Sequence, residues 1–421
     1  MLQQFTVANW ASFKDEMTLS LEASPDTEHE ESVIDVCGTR LLKSAVIYGA
    51  NASGKSNLMT AMNFLKMFVL TSSRETQVEE EIQVEPFRLS TECDGKPSHF
   101  EIIFFQDNTK FRYGFEADNL RIHSEWLFSS SSSREAELFT RTEGKIESNP
   151  ERFKEGKGLE EKTRPNALFL SVVAQFNGEI SAAILKWFRN LGFITATRNP
   201  ALRFTIDRLK DPVFAERILE MSRVADLGIA SLETKLFLYT DADVSNFPEA
   251  SRKSIVGKIK NVGLKTIHKK FDSDNKAVAP VEFDLEKNES EGTKKYLAMT
   301  GPLIDALEDG KVLAVDELDA RMHPLLSRAI VSLFNSPKNN KRAQLIFATH
   351  DTNLLSRVFF RRDQIWFTEK NSYGATSLYS LSEIKVRKDA SFGKDYILGK
   401  YGAIPFIGDF NAISCDAKAV E

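Results

Sequence analysis

The chain has 421 residues, 42% hydrophobic and 27% charged, with a formal net charge of −5, so it can bury a core domain plus a subdomain or insertion and is no polycation; nucleic-acid contact would need a local patch. Cys37, Cys93 and Cys415 are isolated, odd in number and form no C-x-x-C pair, which argues against a disulfide framework or a structural zinc site and fits a reducing cytosol. The Met1-Leu2-Gln3-Gln4-Phe5 start lacks the basic and apolar regions of a signal peptide, and no apolar stretch approaches the ~20 residues of a membrane span, so a cytoplasmic protein without a membrane crossing is expected.

In chain order, Phe5 to Trp10 and Met17 to Leu21 predict two short strands. Ala45-Val46-Ile47-Tyr48 predicts a buried strand that runs into Gly49-Ala50-Asn51-Ala52-Ser53-Gly54-Lys55-Ser56, and Asn57 to Leu70 predicts a helix. Strand, G-x-x-x-x-G-K-[ST] and helix in that order are the setting of a phosphate-binding loop. Its glycines let the backbone curl so that several N–H groups face one anion, and the helix N-terminus adds partial positive charge. Lys55 would neutralise the β and γ phosphates and Ser56 would ligate Mg²⁺. Gly49, Asn51, Ser53, Gly54, Lys55, Ser56 and Asn57 are therefore the candidate nucleotide-binding set. A glycine-rich turn with an accidental lysine is the bland alternative, and the flanking strand and helix speak against it.

From Ile82 to Phe139 the apolar residues alternate at period two, with Asp107-Asn108 and Asp118-Asn119 at turns, which predicts an antiparallel meander. Ser129–Ser133 reads as a polar loop tip. Ile180 to Lys270 reads mostly as helices, with no sustained heptad repeat. Strand signals return at Val281–Leu285, Val312–Val315 and Leu345–Ala348 with helices between them, which indicates a largely parallel sheet.

Two of these strands end in chemistry. Lys311 to Val315 leads into Asp316-Glu317: a carboxylate at the tip of a core strand can hold the Mg²⁺ shell, here Asp316, and the next, Glu317, can orient or deprotonate the attacking water. Gln344 to Ala348 leads into Thr349-His350-Asp351, where His350 can contact the γ-phosphate and the water. A solvated acidic turn and a structural histidine are the alternatives if each strand is taken alone. Ser290-Glu291-Gly292 precedes the apolar helix Tyr296–Leu307 and offers a second anion cradle, or else a simple capped helix start.

Taken in order, these pieces resemble the ABC-type ATPases, the class of SMC-like and recombination ATPases. The resemblance is closer to the prokaryotic RloA-like ATPases, which often carry AAA-family labels. They open with a segment like Asn9-Trp10-Ala11-Ser12-Phe13-Lys14-Asp15 and use Gly-Ala-Asn-x-Ser-Gly-Lys-Ser-Asn. Near the end they carry runs like Arg362 to Phe367 and Gly399 to Pro405. The resemblance implies an α/β P-loop NTPase of ABC-ATPase type, with a mixed, mostly parallel core sheet, an antiparallel β subdomain and a helical insertion. The expected segments are 1–75 (core with phosphate loop), 76–175 (β subdomain), 176–280 (helical insertion) and 281–421 (core with signature, acidic strand and switch histidine).

It further implies a signature serine at Ser290, in a motif that departs from the transporters' Leu-Ser-Gly-Gly-Gln. Ala167 to Gln175 would be a strand leading to a Mg²⁺-contacting glutamine, Gln175, and Asp319 to Pro324 would be a loop that crosses the dimer interface. ATP and Mg²⁺ are the implied cofactors. Lys55 of one subunit and Ser290 of the other would sandwich ATP in a homodimer or higher oligomer. Such ATPases are commonly encoded beside a nuclease or other effector and implicated in anti-phage defence, as in RloA/RloB, Septu and PARIS systems.

Overcoming-lysogenization-defect enzymes append a nuclease domain after the switch histidine. No Asp-x-Asp pair follows His350, and Asp241-Ala242-Asp243 reads as a loop, so no intrinsic nuclease is expected. Lys253, Lys258, Lys260, Lys265, Lys269 and Lys270 form a basic stretch that at helical spacing can present one face to DNA, RNA or an acidic partner, or simply to solvent. Two other function classes stay in view: a DNA-repair ATPase of the recombination-mediator type, and a transporter subunit, which the divergent signature disfavours.

Overall fold

The structure is a computed structural model that describes residues 1–74, 77, 80–131, 134–195, 200–240, 242–243, 249, 252, 255–387 and 390–408. Short apolar runs build its centre, a six-stranded sheet in the order β11-β15-β16-β5-β17-β18. These strands are β5 (Ser44–Gly49), β11 (Leu191–Ile194), β15 (Val312–Val315), β16 (Gln344–Ala348), β17 (Ile365–Lys370) and β18 (Thr376–Ser380). The first five in that order run parallel, and β18 returns antiparallel on β17. Every residue of β5, β15 and β16 is buried, as expected for parallel strands covered on both faces.

Successive residues of β5 feed two different cores. Ala45 and Ile47 join Leu58, Met62 and Leu65 of helix α1 (Lys55–Thr71) on one face. Val46 and Tyr48 join Phe347, Phe367 and Met299 on the other. There the covering helices are α7 (Glu291–Asp309) and α8 (Pro324–Asn335), whose buried residues include Leu303 and Phe334.

The predicted meander is present and larger than expected. Strands β6 (Ser98–Gln106), β7 (Thr109–Ala117), β8 (Ile122–Ser130), β9 (Ala136–Thr142) and β10 (Lys145–Ser148) pair in sequence. The sheet then continues through β1 (Leu2–Ala8) and β2 (Met17–Ser20), with Phe5 opposite Ile102 and Leu19 opposite Phe5. At the β6–β7 turn, Asp107 and Asn108 both adopt positive φ (48° and 61°), the geometry of the two-residue hairpin that their residue types favour. Strands β3 (Val33–Val36) and β4 (Thr39–Leu42) form a separate ribbon. Helix α1 packs against both β1 and β5, with Phe64 and Phe68 against Trp10, Phe100 and Phe115.

Three expectations are corrected. Ala167–Gln175 is not a strand: Phe169–Gln175 is helix α2. The cause is non-local, because the buried Glu125 of β8 accepts from the N–H groups of Phe169 (2.7 Å) and Leu170 (3.1 Å) and so caps the helix. Burial pushes the Glu125 carboxyl above its ordinary value. Second, the helical reading of 176–280 holds for α3 (Glu179–Arg189), α4 (Pro200–Arg208) and α5 (Pro212–Val224), but Leu191–Ile194 between them is β11 of the core sheet, and the reading fails again after Val224. Beyond Val224 the chain forms an antiparallel sheet of β12 (Ile229–Leu238), β13 (Ile259–Phe271) and β14 (Ala277–Asp284). Leu264 and Ile267 anchor β13 in the core beneath it while Lys269 and Lys270 stay in solvent.

Third, the strand signal at Val281–Leu285 belongs to this small sheet and not to the parallel core, and the chain then passes through α6 (Leu285–Asn288) into α7. Of the basic stretch, Lys260, Lys265, Lys269 and Lys270 accordingly lie on β13 rather than on a helix face and Lys258 lies in the bend before it; Lys253 and the side chain of Lys260 lie outside the described residues. So do Cys415, Asp241 and the last residues of the Ser129–Ser133 run, whereas Cys37 and Cys93 are free thiols. Helix α9 (Phe392–Ile397) closes the described part, and among the described residues no helix is long and apolar enough to cross a membrane.

Candidate functional site

In a parallel sheet the strand ends carry the chemistry, and β5, β16 and β15 lie side by side with their carboxyl ends together. The loop 49–54 leaves β5, His350 follows β16 by two residues and Asp316 follows β15 directly. Strand spacing of about 4.8 Å makes these neighbours.

The loop is built for an anion. Gly54 sits at φ 115°, and a side chain there would strike Thr376, so only glycine fits. Lys55 is buried, and its ammonium donates to the carbonyls of Gly49 (2.8 Å) and Ala50 (2.9 Å). Desolvation lowers its pKa, and Asp316, Glu317 and Asp319 act against that shift. The loop is braced from outside. Ser53 Oγ and Thr368 Oγ1 share a 2.6 Å hydrogen bond; Thr376 Oγ1 donates to the Ser53 carbonyl (2.8 Å) and shares a 2.7 Å hydrogen bond with Ser12 Oγ; Asn57 Nδ2 donates to Ser12 Oγ (2.7 Å). The side chains of Ser53 and Asn57 are thus engaged as struts, while Asn51 and Ser56 are exposed.

Asp316 and Glu317 act electrostatically on Lys55, and Lys55 acts on His350. Asp316 Oδ1 is buried and has no hydrogen-bond partner among the described residues, whereas its main-chain N–H donates to the carbonyl of Ile194. Glu317 holds a left-handed backbone (φ 53°), and its carbonyl accepts from Lys295 Nζ. The main-chain N–H of His350 donates to both oxygens of Asp319 (3.3 and 3.4 Å). The His350 ring is held below its ordinary pKa, first by desolvation and then by the Lys55 charge, against the pull of Asp319, Glu317 and Asp316. These five groups share one electrostatic neighbourhood.

Ser290 is exposed and caps α7, its Oγ accepting from Thr293 N–H (3.1 Å). A side chain at Gly292 would lie 2.5 Å from the Arg321 carbonyl, and Arg321 pairs with Glu291 (2.5 Å). The start of α7 is therefore fastened to the loop that follows Glu317. Gln175 is elsewhere. Its Nε2 donates to Ser73 Oγ (2.8 Å), just beyond the far end of the 17-residue α1, some 25 Å from the phosphate loop by helix rise. Gln175 is removed from the nucleotide and metal set: the strand that would have carried it to the loop is a helix.

A family profile described as "AAA domain, putative AbiEii toxin, Type IV TA system" matches residues 44–356, from β5 to just past His350. The chain belongs to this family. As a family member with an intact phosphate loop, this AAA protein is an ATPase of the P-loop type. Among curated proteins, none matches it significantly.

Among solved structures the AAA protein is similar to an SMC head bound to the C-winged helix domain of ScpA, at 13% identity and TM-score 0.43, with 90% of this chain and 97% of that one covered. It is similar to the SMC head domain from Thermotoga maritima at 11% identity and TM-score 0.39, with 91% and 99% covered. A third is the Pyrococcus furiosus Smc head with an extended coiled coil bound to the C-terminal domain of ScpA, at 12% identity and TM-score 0.40, with 95% and 98% covered.

Proteins of this type bind ATP with Mg²⁺, and the residues fit that ion. A buried carboxylate oxygen on Asp316 without a donor is an acceptor suited to a cation, and Ser56 stands exposed at the start of α1. Among the described residues no cluster of three or more His, Cys, Asp or Glu is placed to hold a metal; a Mg²⁺ shell of one carboxylate, phosphate oxygens and water needs none.

Sequence reasoning missed the struts Ser12, Thr368 and Thr376, and missed Lys295 and Asp319 as partners of Glu317 and His350. Ser12 and Asp319 lie in segments that the sequence already singles out. Lys295, Thr368 and Thr376 become visible only when α7, β17 and β18 are assembled around the loop.

Proposed function

We propose that this ATPase works as a dimer of heads in which each ATP lies between Lys55 of one protomer and Ser290 of another. Mg²⁺ is held by Ser56 and Asp316, Glu317 activates water, and His350 completes the γ-phosphate shell. Hydrolysis removes the shared phosphate contacts and loosens the pair, so the nucleotide acts through its different contacts in the two states. The dimer regulates a separate effector, a nuclease, in anti-phage defence in the cytoplasm.

The observation that carries the reading is the placement of α7. Its exposed start at Ser290 makes no hydrogen bond to the phosphate loop of its own chain among the described residues, yet Glu291–Arg321 and Lys295–Glu317 tie it to the water-activating segment. Light scattering of Glu317→Gln with and without ATP tests it. An ATP-dependent dimer is expected; a monomer that hydrolyses ATP at the wild-type rate contradicts the assignment.

One observation favours the second reading, a repair ATPase that binds DNA. The β13–β14 hairpin presents Lys269, Lys270, Phe271 and Lys276 to solvent, a basic tip with an exposed aromatic ring. A salt-dependent DNA shift that disappears in Lys269→Glu with Lys270→Glu would support it.

A further inference from the structure

The end of the sheet remote from the ATP site holds a second, unassigned cavity of about 630 Å³. It opens at the amino ends of β15 and β16, beside Gly310, Lys311 and Val312 and beside Lys341 and Arg342. The four residues of β15 separate it from Asp316 by about 13 Å at strand rise. Its charged lining is Lys186, Lys311, Lys341 and Arg342 against Asp107 and Asp309, an excess of positive charge in a chain whose formal net charge is −5.

Two of these charges cancel locally, because Lys311 Nζ pairs with Asp305 (2.6 Å) and Asp309 (2.9 Å). Lys186, Lys341 and Arg342 are exposed, and among the described residues none of the three pairs with a carboxylate.

The backbone that carries the rim cations is held in place. Asn339 is buried; its Nδ2 donates to the carbonyls of Phe334 and Ala343 (2.8 Å each) and its Oδ1 accepts from Ala343 N–H (3.0 Å). This clamp closes the loop that carries Lys341 and Arg342. Arg342 adopts φ 66°, a left-handed backbone that is strained for a non-glycine residue. The Lys341 carbonyl seats so closely on Gly310 that any side chain there would overlap it. Lys186 comes from α3 on the opposite wall, one residue before the buried Trp187, which stacks on Phe104 with ring centroids 4.1 Å apart.

We infer that this cavity binds a small polyanion, a nucleotide-sized molecule with two or more phosphate groups. The volume lies within the range of about 300–1,000 Å³ usual for small-molecule sites. A guanidinium fork and two ammonium groups from separate elements suit phosphate oxygens. Because the cavity lies beyond the sheet from Lys55, its ligand would not compete with ATP, and the inference stands whether or not the heads dimerise.

The test is calorimetric titration of inorganic tripolyphosphate into full-length Lys55→Ala, in which the phosphate loop is disabled. Saturable binding with one site per chain is expected. It should weaken about tenfold or more on adding Lys341→Glu with Arg342→Glu, and again on adding Lys186→Glu alone, with charge-assisted contacts of this kind worth at least that factor each. Lys276→Glu on the distant hairpin should change nothing. All four positions are exposed, so folding is preserved, and far-UV circular dichroism verifies it. The inference is overturned by no saturable binding in Lys55→Ala, by binding indifferent to the three rim substitutions, or by an equal loss with Lys276→Glu.

Discussion

The ammonium of Lys295 donates to the main-chain carbonyl of Glu317, joining the helix that begins at Ser290 to the acid that would activate water. Glu317 needs such a hold, since its left-handed backbone is strained for a residue with a side chain. Lys295 accepts desolvation, which lowers its pKa, while Asp319, Glu317 and Asp316 favour its charged form. Lys295 is thus a positioning residue. Lys295→Met should reduce kcat by about 10- to 100-fold, the scale of a misplaced catalytic group. KM for ATP should stay within a small factor, and Lys295→Arg should recover much of the rate. Steady-state kinetics on the three proteins decide the matter; a raised KM with normal kcat would assign Lys295 to binding instead.

Lys55→Ala should cost ATP affinity about 100-fold or more, since a buried, charge-assisted phosphate contact is lost. Fluorescent-nucleotide titration measures this. Thr376→Val should give a milder loss with the same readout, because it removes the brace on Ser53 and Ser12 without touching the cation.

His350 supplies a pH dependence with a definite sign. The unfolded imidazole takes its proton near the ordinary 6.5, whereas the folded ring, held lower by desolvation and by Lys55, resists it. Between the two values the unfolded state binds more protons, so stability falls as pH drops through that window and levels off below the folded value. Urea denaturation at stepwise lower pH should show this loss in the native protein and less of it in His350→Gln. Lys55→Ala should raise the His350 pKa in an NMR titration, because one lowering charge is gone and the three carboxylates remain. An unchanged value would mean that the two side chains do not share a site.

Gly292→Ala would drive a methyl into the Arg321 carbonyl, with the 1–3 kcal/mol scale of an overpacked contact as the approximate penalty. The start of α7 must then shift. Monomeric ATP binding at Lys55 should survive while ATP-dependent dimerisation weakens, as read by light scattering alongside nucleotide titration.

The core of the site was legible because its signals are local. Ala45–Lys55, Val312–Glu317 and Leu345–His350 are unbroken apolar strands that end in polar chemistry, and the fold places their carboxyl ends side by side. What could not be read was set by distant residues. The run Phe169–Ala174 is apolar enough for a strand, and it becomes a helix because Glu125, far back on β8, caps it. In β13 the buried residues Leu264, Thr266 and Ile267 are too few and too mixed to show a period of two among four lysines, so a strand resembles a basic helix face. Lys295 lay unremarked inside α7 because its partner is a carbonyl 22 residues away.

The central claim, one nucleotide shared by two chains, is tested most directly by mixing Lys55→Ala with Ser290→Arg. Each variant alone should be inactive in ATP hydrolysis. A mixed dimer, however, pairs the intact Lys55 of one chain with the intact Ser290 of the other. The account predicts that hydrolysis returns on mixing; rates that remain at the sum of the two separate variants would contradict it.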